Sequence, residues 1–430
     1  MFCKMETLET GKKHGTCSFC VGRVDNPLFF WYNLAHGANC MKCGMSKAEH
    51  KQIKNNMQKS GKEETSMQNQ AEIQTPTFSS DRSCRALVAM SGGVDSAVAA
   101  YLMQQQGYTC TGATMRLFPG SSSQEAQDAR AVSETLGMKH IVLDYTALFA
   151  QTVIDRFVHD YEMGRTPNPC IVCNRFLKFG ALHAAAAQAG CEMVATGHYA
   201  RVEQDKQSGR YLLKKARDEA KDQSYVLYTL SQTQLSHTCF PLGALTKAEV
   251  RALAQANGFS NANKRESQDI CFVPDGDYVG FIQRYTGKTY LPGPFVDQTG
   301  KVLGTHNGVI RYTVGQRRGL GLAAEEPWYV KGIDVAANAV ILCHAPELFS
   351  RFCELEDINL ISRTQIDTPL RVMAKVRYRQ PAQPATVIQT DTDRLQITFD
   401  TPQRAITPGQ AAVLYEGDTV VGGGTIRPLS

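Results

Sequence analysis

The chain has 430 residues, of which 43% are hydrophobic and 20% charged, as is ordinary for a globular protein of two or three domains. Its 46 basic and 41 acidic residues give a formal net charge of +5, too even a balance to require a nucleic-acid partner. No run of about 18 apolar residues occurs, and the first 13 residues lack an apolar segment. We therefore expect no membrane span, no secretion signal and a cytoplasmic location.

Four cysteines near the start of the chain form two closely spaced pairs. Cys17 and Cys20 are the first pair and Cys40 and Cys43 the second, a spacing typical of a ribbon that binds one tetrahedral metal ion. We predict a zinc ribbon over residues 1–50, although the same thiolates would also accept iron. A module this short has little core, so the metal would supply much of its folding free energy.

Composition divides the rest of the chain into further regions. Residues 51–84 are polar and predict a flexible linker. Over residues 85–282, apolar runs alternate with helical stretches, which predicts an α/β domain with a doubly wound parallel sheet. Short segments such as 308–314, separated by Gly and Pro, then predict an all-β half, with a small middle domain at 283–358 and a C-terminal β-barrel at 359–430. The runs that predict strands are 110–115, 140–143 and 193–196, and those that predict helices are 123–136 and 176–189.

A glycine-rich loop is the most informative motif. Residues 91–96 read Ser-Gly-Gly-Val-Asp-Ser and follow the apolar run 86–90, so they join a buried strand to a helix. Two glycines let the backbone approach an anion, and the helix N-terminus presents unpaired N–H groups. We predict a pyrophosphate cradle, which differs from the kinase-type loop because no Gly-Lys-Ser/Thr follows. The plainer interpretation is a tight turn capped by Asp95 or Ser96.

A second constellation presents two thiols on a stiff loop. Cys170 and Cys173 follow two prolines, and Arg175 and Lys178 come shortly after them. Positive charge and a helix N-terminus lower a thiol pKa, so we expect thiolate chemistry here. Cys271 lies in a polar stretch, and taken alone it is equally well explained as a buried structural cysteine.

These motifs, taken in order with several others, resemble the tRNA-specific 2-thiouridylases of the ATP pyrophosphatase superfamily. The resemblance covers residues 85–426, and its motifs are residues 91–96, 164–169, 173–174, 195–201, 221–225, 267–272, 312–317, 376–380 and 407–410. It implies a pyrophosphatase-type domain, a small middle domain and a C-terminal barrel. It also implies that sulfur replaces the C2 oxygen of the wobble uridine of tRNA at the expense of ATP.

The resemblance also implies a nucleotide site. A uracil oxygen leaves only after adenylation has turned it into a phosphate ester, which explains the need for ATP. Asp95 would hold Mg²⁺ or fix the loop. The residues that match nucleotide-binding positions are Ala89, Met90, Ser91, Gly92, Gly93, Val94, Asp95, Ser96, Met115 and Gly197.

For sulfur transfer, the resemblance implies a persulfide on Cys271, with Cys173 attacking it or capturing the intermediate. The sulfur donor would be a protein or sulfide, and we expect the enzyme to be a monomer. The target base would be flipped out of the anticodon stack. The residues that match tRNA-contacting positions are Asn168, Pro169, Cys170, His198, Lys221, Asp222, Gln223, Arg377, Tyr378 and Gln410. On its own, a histidine after a buried strand is more simply explained as a core residue.

One departure from the family concerns Cys170, where many members carry Asp. Members with the Cys-x2-Cys version resemble a subgroup in which three cysteines hold a 4Fe-4S cluster, and Cys170, Cys173 and Cys271 match them. The family offers no role for the N-terminal ribbon.

Two other functions are compatible with parts of the chain. A ligase that adenylates a small carboxylate would use residues 91–96 equally well but leaves the three cysteines idle. A non-catalytic RNA-binding protein would combine the ribbon and the barrels, with residues 377–379 contacting phosphates and bases.

Overall fold

The computed structural model describes residues 84–119, 123–262, 264 and 270–428. The predicted zinc ribbon, with Cys17, Cys20, Cys40 and Cys43, lies outside the described residues, as does the linker up to its last residue. Among the described helices, none has the length and apolar character needed to cross a membrane.

The first part of the described chain alternates strands and helices, as the apolar pattern predicts. In chain order its elements are β1 (Arg85–Ala89), α1 (Val94–Gln105), β2 (Thr109–Arg116), α2 (Ser123–Thr135), β3 (Lys139–Asp144), α3 (Thr146–Phe149), a π-helical segment (Ala150–Ile154), α4 (Asp155–Glu162), α5 (Pro169–Cys173), a second π-helical segment (Asn174–Ala181), α6 (Leu182–Gln188), β4 (Met193–Ala195), β5 (Arg201–Gln204), β6 (Tyr211–Lys214), α7 (Ser224–Leu227), α8 (Gln232–Ser236), β7 (Thr238–Cys239), α9 (Lys247–Ala256) and α10 (Tyr278–Thr286).

Five of these strands form a parallel sheet in the order β3-β2-β1-β4-β7. The predicted doubly wound α/β domain is confirmed. The chain order reverses beside β1, whose neighbours are β2 on one side and β4 on the other. In sheets of this kind, ligands bind outside the carboxyl ends of the strands at such a reversal. Leu87 and Val88 of β1 are fully buried, because both faces of the sheet are covered.

The rest of the chain is rich in antiparallel strands. Its elements are β8 (Gly293–Val296), β9 (Val302–His306), a 3-10 helix (Val309–Arg311), β10 (Tyr329–Asp334), β11 (Ala339–Cys343), a 3-10 helix (Ala345–Leu348), β12 (Phe349–Leu360), β13 (Leu370–Lys375), β14 (Gln383–Asp391), β15 (Arg394–Arg404), β16 (Ala411–Glu416) and β17 (Thr419–Ile426). Strands β8 to β11 form a four-stranded sheet in the order β10-β11-β8-β9.

Six strands close into the predicted C-terminal barrel. Their order is β12-β15-β14-β13-β16-β17, and β12 pairs back to β17. The β5–β6 hairpin extends this sheet through the pair Thr419–Lys214, so a segment that lies between β4 and β7 in the chain joins the barrel.

The prediction of a β-segment over residues 308–314 is wrong. Gly308 has a φ of 101°, and the chain then forms a 3-10 turn over Val309–Arg311. Val309 and Ile310 are both buried, which a strand with one face in solvent would not allow for consecutive residues.

Candidate active site

The glycine-rich loop lies at the carboxyl end of β1. Gly92 has a φ of +70°, and a Cβ atom there would lie 2.4 Å from the Glu125 carbonyl oxygen, so the position requires glycine. The Ser96 hydroxyl accepts a hydrogen bond from the Ser91 N–H at 3.2 Å and donates one to the Gly93 carbonyl at 2.9 Å, which closes the loop. Among the described residues, no side chain caps α1 at its N-cap, Gly93. The first N–H groups of the helix therefore remain available to an anion.

Asp95 is held by two side chains. The Tyr199 hydroxyl donates a hydrogen bond to Oδ1 of Asp95 at 2.7 Å, and Lys247 Nζ lies 2.8 Å from both carboxylate oxygens. These contacts tie the first turn of α1 to the start of α9. Of the two roles that the resemblance implies for Asp95, they support fixing the loop.

Within the ranges that the structure describes, no group of three or more His, Cys, Asp or Glu side chains is placed to hold a metal ion. Proteins usually hold Mg²⁺ through one or two carboxylates together with the phosphates of the substrate. The Mg²⁺ role of Asp95 therefore stays a prediction.

The two remaining nucleotide-site predictions fall on the strands that flank β1. Met115 lies near the carboxyl end of β2, and Gly197 follows β4. A Cβ atom on Gly197 would lie 2.8 Å from the backbone carbon of Asp95 and 2.9 Å from the Ser96 nitrogen. A side chain at position 197 would press against the first turn of α1, so glycine keeps the cradle accessible.

Asn261 is a further residue at the loop, and the sequence pattern does not single it out. It is 4% exposed, and its Nδ2 donates a hydrogen bond to the Gly92 carbonyl at 3.1 Å. Because a trans peptide points its C=O and N–H in opposite directions, this bond also directs the N–H of Gly93 away from Asn261. The Asn261 Oδ1 is buried without a hydrogen-bond partner among the described residues. Nothing in its short polar stretch would have revealed the contact, since Gly92 lies 169 residues earlier.

The paired cysteines lie on the short helix α5. Asn168 is its N-cap, and the side-chain oxygen accepts the N–H of Cys170 at 3.2 Å. Pro169 occupies the first helical position, where its missing N–H leaves no hydrogen bond unmade. Cys170 is exposed and Cys173 is buried. The chain continues into the π-helical segment Asn174–Ala181, a form that often marks functional sites.

The three thiols share one neighbourhood, and burial opposes the ionisation of Cys173 and Cys271. Burial raises the pKa of Cys173, and the nearby Lys178 only partly opposes it. Burial, followed by the thiols of Cys173 and Cys170, raises the pKa of Cys271 to about 12, even though this residue is reached by solvent. The expectation that the basic residues and the helix N-terminus lower the thiol pKa is wrong for Cys173. The physical reason is that its lost hydration outweighs one nearby cation.

The same thiols do not fit an iron–sulfur cluster in this arrangement. A cluster needs its cysteines to face one point in space. The described residues hold no metal-binding group of three or more His, Cys, Asp or Glu side chains, and Cys170 and Cys271 face solvent while Cys173 does not.

Among the predicted tRNA contacts, those at residues 221–223 are engaged within the chain. The Asp222 carboxylate accepts the N–H groups of Ala216 and Ser224, both at 3.1 Å. The side-chain oxygen of Gln223 accepts the N–H of Tyr199 at 2.9 Å. Lys221 also has an interaction within the chain.

The predicted tRNA contacts in the C-terminal part of the chain, Arg377, Tyr378 and Gln410, are also hydrogen-bonded within the chain. Arg377 Nη2 donates to the carbonyls of Val314 at 3.0 Å and Ala405 at 3.2 Å. The Tyr378 hydroxyl donates to the Asp222 carbonyl at 3.3 Å. Gln410 donates to two carbonyls just ahead of the paired cysteines. Tyr378 is nevertheless 37% exposed.

His198 is a buried, neutral histidine. It is 9% exposed, and its Nδ1 lies 2.7 Å from the Thr196 hydroxyl. Its ring packs against Phe179 and Phe240, with centroids 5.7 and 6.0 Å away. Burial places its pKa well below the usual value. This environment supports the plainer interpretation of His198 as a core residue.

Three family models match the chain in succession. Residues 84–275 match a tRNA methyl transferase HUP domain, residues 279–344 a tRNA methyl transferase PRC-barrel domain, and residues 350–426 an aminomethyltransferase beta-barrel domain. The matched ranges contain the glycine-rich loop, the cysteines of α5 and the closed barrel.

Curated relatives are similar over most of the chain. The tRNA-specific 2-thiouridylase MnmA of Moorella thermoacetica is 48% identical over 355 residues, covering 80% of this chain and 99% of the relative. The protein of the same name from Clostridioides difficile is 44% identical over 353 residues, with 80% and 98% coverage. Among solved structures, a 4-thiouridine synthetase–RNA complex with bound ATP has a TM-score of 0.33 at 16% identity, covering 47% of this chain and 50% of that one. That likeness is too slight to support an inference.

Proposed function

Because the chain belongs to the family of tRNA-specific 2-thiouridylases, we propose that it is an ATP-dependent tRNA-uridine 2-sulfurtransferase. Its substrate is tRNA, and the reacting group is the C2 oxygen of the wobble uridine. The observation that carries the proposal is the presence, in one α/β domain, of an uncapped glycine-rich anion cradle and of neighbouring thiols on two separate segments.

The first half of the reaction uses the cradle. The C2 oxygen of the uridine attacks the α-phosphorus of ATP, and pyrophosphate leaves. The N–H groups at the start of α1 would bind the departing pyrophosphate, since the position of Gly93 leaves them without a side-chain cap. Asn261 and the Asp95 contacts keep the loop in this orientation.

The second half uses the thiols. A donor protein that carries a persulfide transfers its outer sulfur to the Cys271 thiol, so that Cys271 becomes the persulfide and the donor is left as a thiol. The terminal sulfur attacks C2 of the adenylated base, and AMP leaves. Cys173 then attacks the Cys271 sulfur, forming a disulfide and releasing 2-thiouridine, and a reductant restores both thiols. Cys173 is buried with a raised pKa, so it must lose its proton before it can attack.

The role of Cys170 distinguishes this route from a cluster. The persulfide route uses two cysteines, whereas a 4Fe-4S cluster uses all three. We expect the Cys170→Ala protein, purified in air, to keep its thiolation activity. Loss of activity in this variant, together with iron bound to the anaerobically prepared wild type, would favour the cluster instead.

The main test combines purified protein, ATP, a sulfur-donor protein that carries a persulfide and unmodified tRNA. We expect 2-thiouridine by nucleoside analysis, with pyrophosphate release that depends on tRNA. Two of the matched family models are described as tRNA methyl transferase domains, so a parallel reaction with S-adenosylmethionine tests for methyl transfer. Methylated tRNA without thiouridine would overturn the proposal, as would pyrophosphate release that depends on a small carboxylic acid.

A further inference from the structure

The segment just ahead of the paired cysteines is bonded to both of the other sheets. The N–H of Thr166 donates a hydrogen bond to the Pro408 carbonyl, 2.8 Å away in the turn before β16. The Thr166 hydroxyl donates to the Thr313 hydroxyl at 3.1 Å, between β9 and β10. Thr166 therefore lies where the α/β domain, the four-stranded sheet and the barrel meet.

Gln410 supplies further bonds to the same segment. Its Nε2 donates to the carbonyls of Thr166 at 2.8 Å and Pro167 at 3.3 Å. Pro167 and Pro169 have no N–H, so this segment cannot be held by a regular backbone ladder. The carbonyls of Thr166 and Pro167 accept hydrogen bonds from the side-chain amide of Gln410 instead.

Gly409 lets the barrel turn come this close. It has a φ of +87°, and a Cβ atom there would lie 2.9 Å from both Arg165 Cβ and the Thr166 nitrogen. A residue with a side chain would push the turn away and stretch the Gln410 contacts.

The segment also borders a pocket. The pocket has a volume of about 200 Å³ and is lined by residues that include Pro167, Asn168 and Gly409, together with Ile171 and Val172 of α5. The Gln410 hydrogen bonds act together with the packing of the buried Pro167 and Pro169 to define where α5 begins.

We propose that Gln410 is a positioning residue, which sets the place of α5 and its two cysteines by holding the Thr166 and Pro167 carbonyls from the barrel. The inference rests on the proposed thiolation, because positioning matters only if the cysteines react. The resemblance assigns Gln410 to tRNA contact, whereas here its amide nitrogen donates to two carbonyls of the loop. Loss of the amide should therefore slow the reaction of bound tRNA and leave its binding nearly unchanged.

The test compares two variants at this position. Gln410→Leu removes the donors, and Gln410→Glu keeps the length but leaves only acceptors. We expect both to increase amide hydrogen exchange in residues 164–173 by about tenfold and to lower kcat by a similar factor. The dissociation constant for tRNA, measured by filter binding, should change less than about twofold, within the scatter of surface substitutions.

Gln232 offers a matched control. Its Nε2 also bridges two carbonyls, those of Tyr211 at 2.9 Å and Ile361 at 3.1 Å, but away from the cysteines. Gln232→Leu should lose similar thermal stability and keep wild-type kcat and wild-type exchange in residues 164–173. A slow Gln232→Leu enzyme would mean that any lost bridge slows the reaction, which contradicts a specific role for Gln410.

Two results would overturn the proposal. One is weaker tRNA binding by Gln410→Leu with unchanged exchange in residues 164–173, which would make Gln410 an RNA contact. The other is wild-type behaviour of Gln410→Glu, which would show that its donors are not needed. If the wild type forms no thiouridine at all, the proposed function fails, and the exchange measurement still decides whether Gln410 holds the loop.

Discussion

The nucleotide cradle and the cysteine loop are built in opposite ways. The cradle is closed by the Ser91 N–H bonded to the Ser96 hydroxyl, five residues apart, and by a glycine whose positive φ is local. The cysteine loop is held by Gln410, which lies 244 residues beyond Thr166, and by Thr313, which lies 147 residues beyond it. One site is closed by a short motif and held within its own domain, whereas the other is held by the assembled domains.

Because of this difference, we expect ATP binding and sulfur transfer to respond differently to substitutions in the barrel. The contacts that hold the cradle, from Tyr199, Lys247 and Asn261, all come from the α/β domain, so we expect ATP binding to tolerate changes in the barrel. The thiols depend on contacts from all three sheets, so sulfur transfer should respond to substitutions far from any cysteine. Each prediction below tests one side of this contrast.

The largest effect should come from Cys173→Ser. A hydroxyl cannot open the disulfide bond that joins Cys271 to the sulfur on the base, so thiouridine formation should fall by at least about 10³-fold, as is common when a nucleophile is removed. ATP binding should be unchanged, because the cradle does not include this residue. Cys110→Ser is the control, since Cys110 is also buried but lies in the α/β core. Nucleoside analysis that finds equal product in both variants would rule out the assigned role.

Gly197→Ala should damage the cradle. The new Cβ atom would lie 2.8 Å from the backbone of Asp95, so the first turn of α1 must shift. We expect the dissociation constant for ATP to rise at least about tenfold, equivalent to about 1.4 kcal/mol. Gly332→Ala is the matched control, because its nearest contact is an ordinary 3.9 Å. Calorimetric titration showing equal ATP affinity for both variants would contradict this description of the cradle.

The ionisation of Cys271 should be visible in its labelling rate. Its pKa is raised to about 12, so at neutral pH the thiol is almost wholly protonated. Between pH 7 and 9, alkylation by iodoacetamide should rise about tenfold per pH unit, while free cysteine begins to level off near its pKa of about 8.5. Mass spectrometry of the labelled peptide gives the rate, and a plateau below pH 9 would show that the pKa is not raised.

Asn261→Val should have the smallest effect. It removes the hydrogen bond to the Gly92 carbonyl and with it the orientation of the Gly93 N–H. We expect the KM for ATP to rise about threefold to tenfold with little change in kcat, as for the loss of one hydrogen bond. Asn257→Val is the control, because its amide bonds the Leu253 carbonyl at 2.8 Å, within its own helix. A similar KM in both variants would place Asn261 outside the nucleotide site.

Much of the fold was predictable from the sequence, because its signals are local. Apolar runs at residues 110–115 and 140–143 became β2 and β3, and the α/β pattern became a parallel sheet. The prediction of a β-segment at 308–314 was wrong, because the burial of Val309 and Ile310 depends on the residues that pack around them. Alternation along the chain could not distinguish that turn from a strand.

The sequence by itself determined the glycine cradle and the stiff start of α5, because backbone freedom at Gly92 and the missing N–H of Pro169 are properties of single residues. Only the tertiary structure decided how these motifs are supported. The amide of Gln410, the Asn261 contact and the raised pKa of Cys173 arise from groups brought together over more than a hundred residues or from lost hydration. Burial and long-range hydrogen bonds depend on the whole packed chain, so a short motif does not predict them.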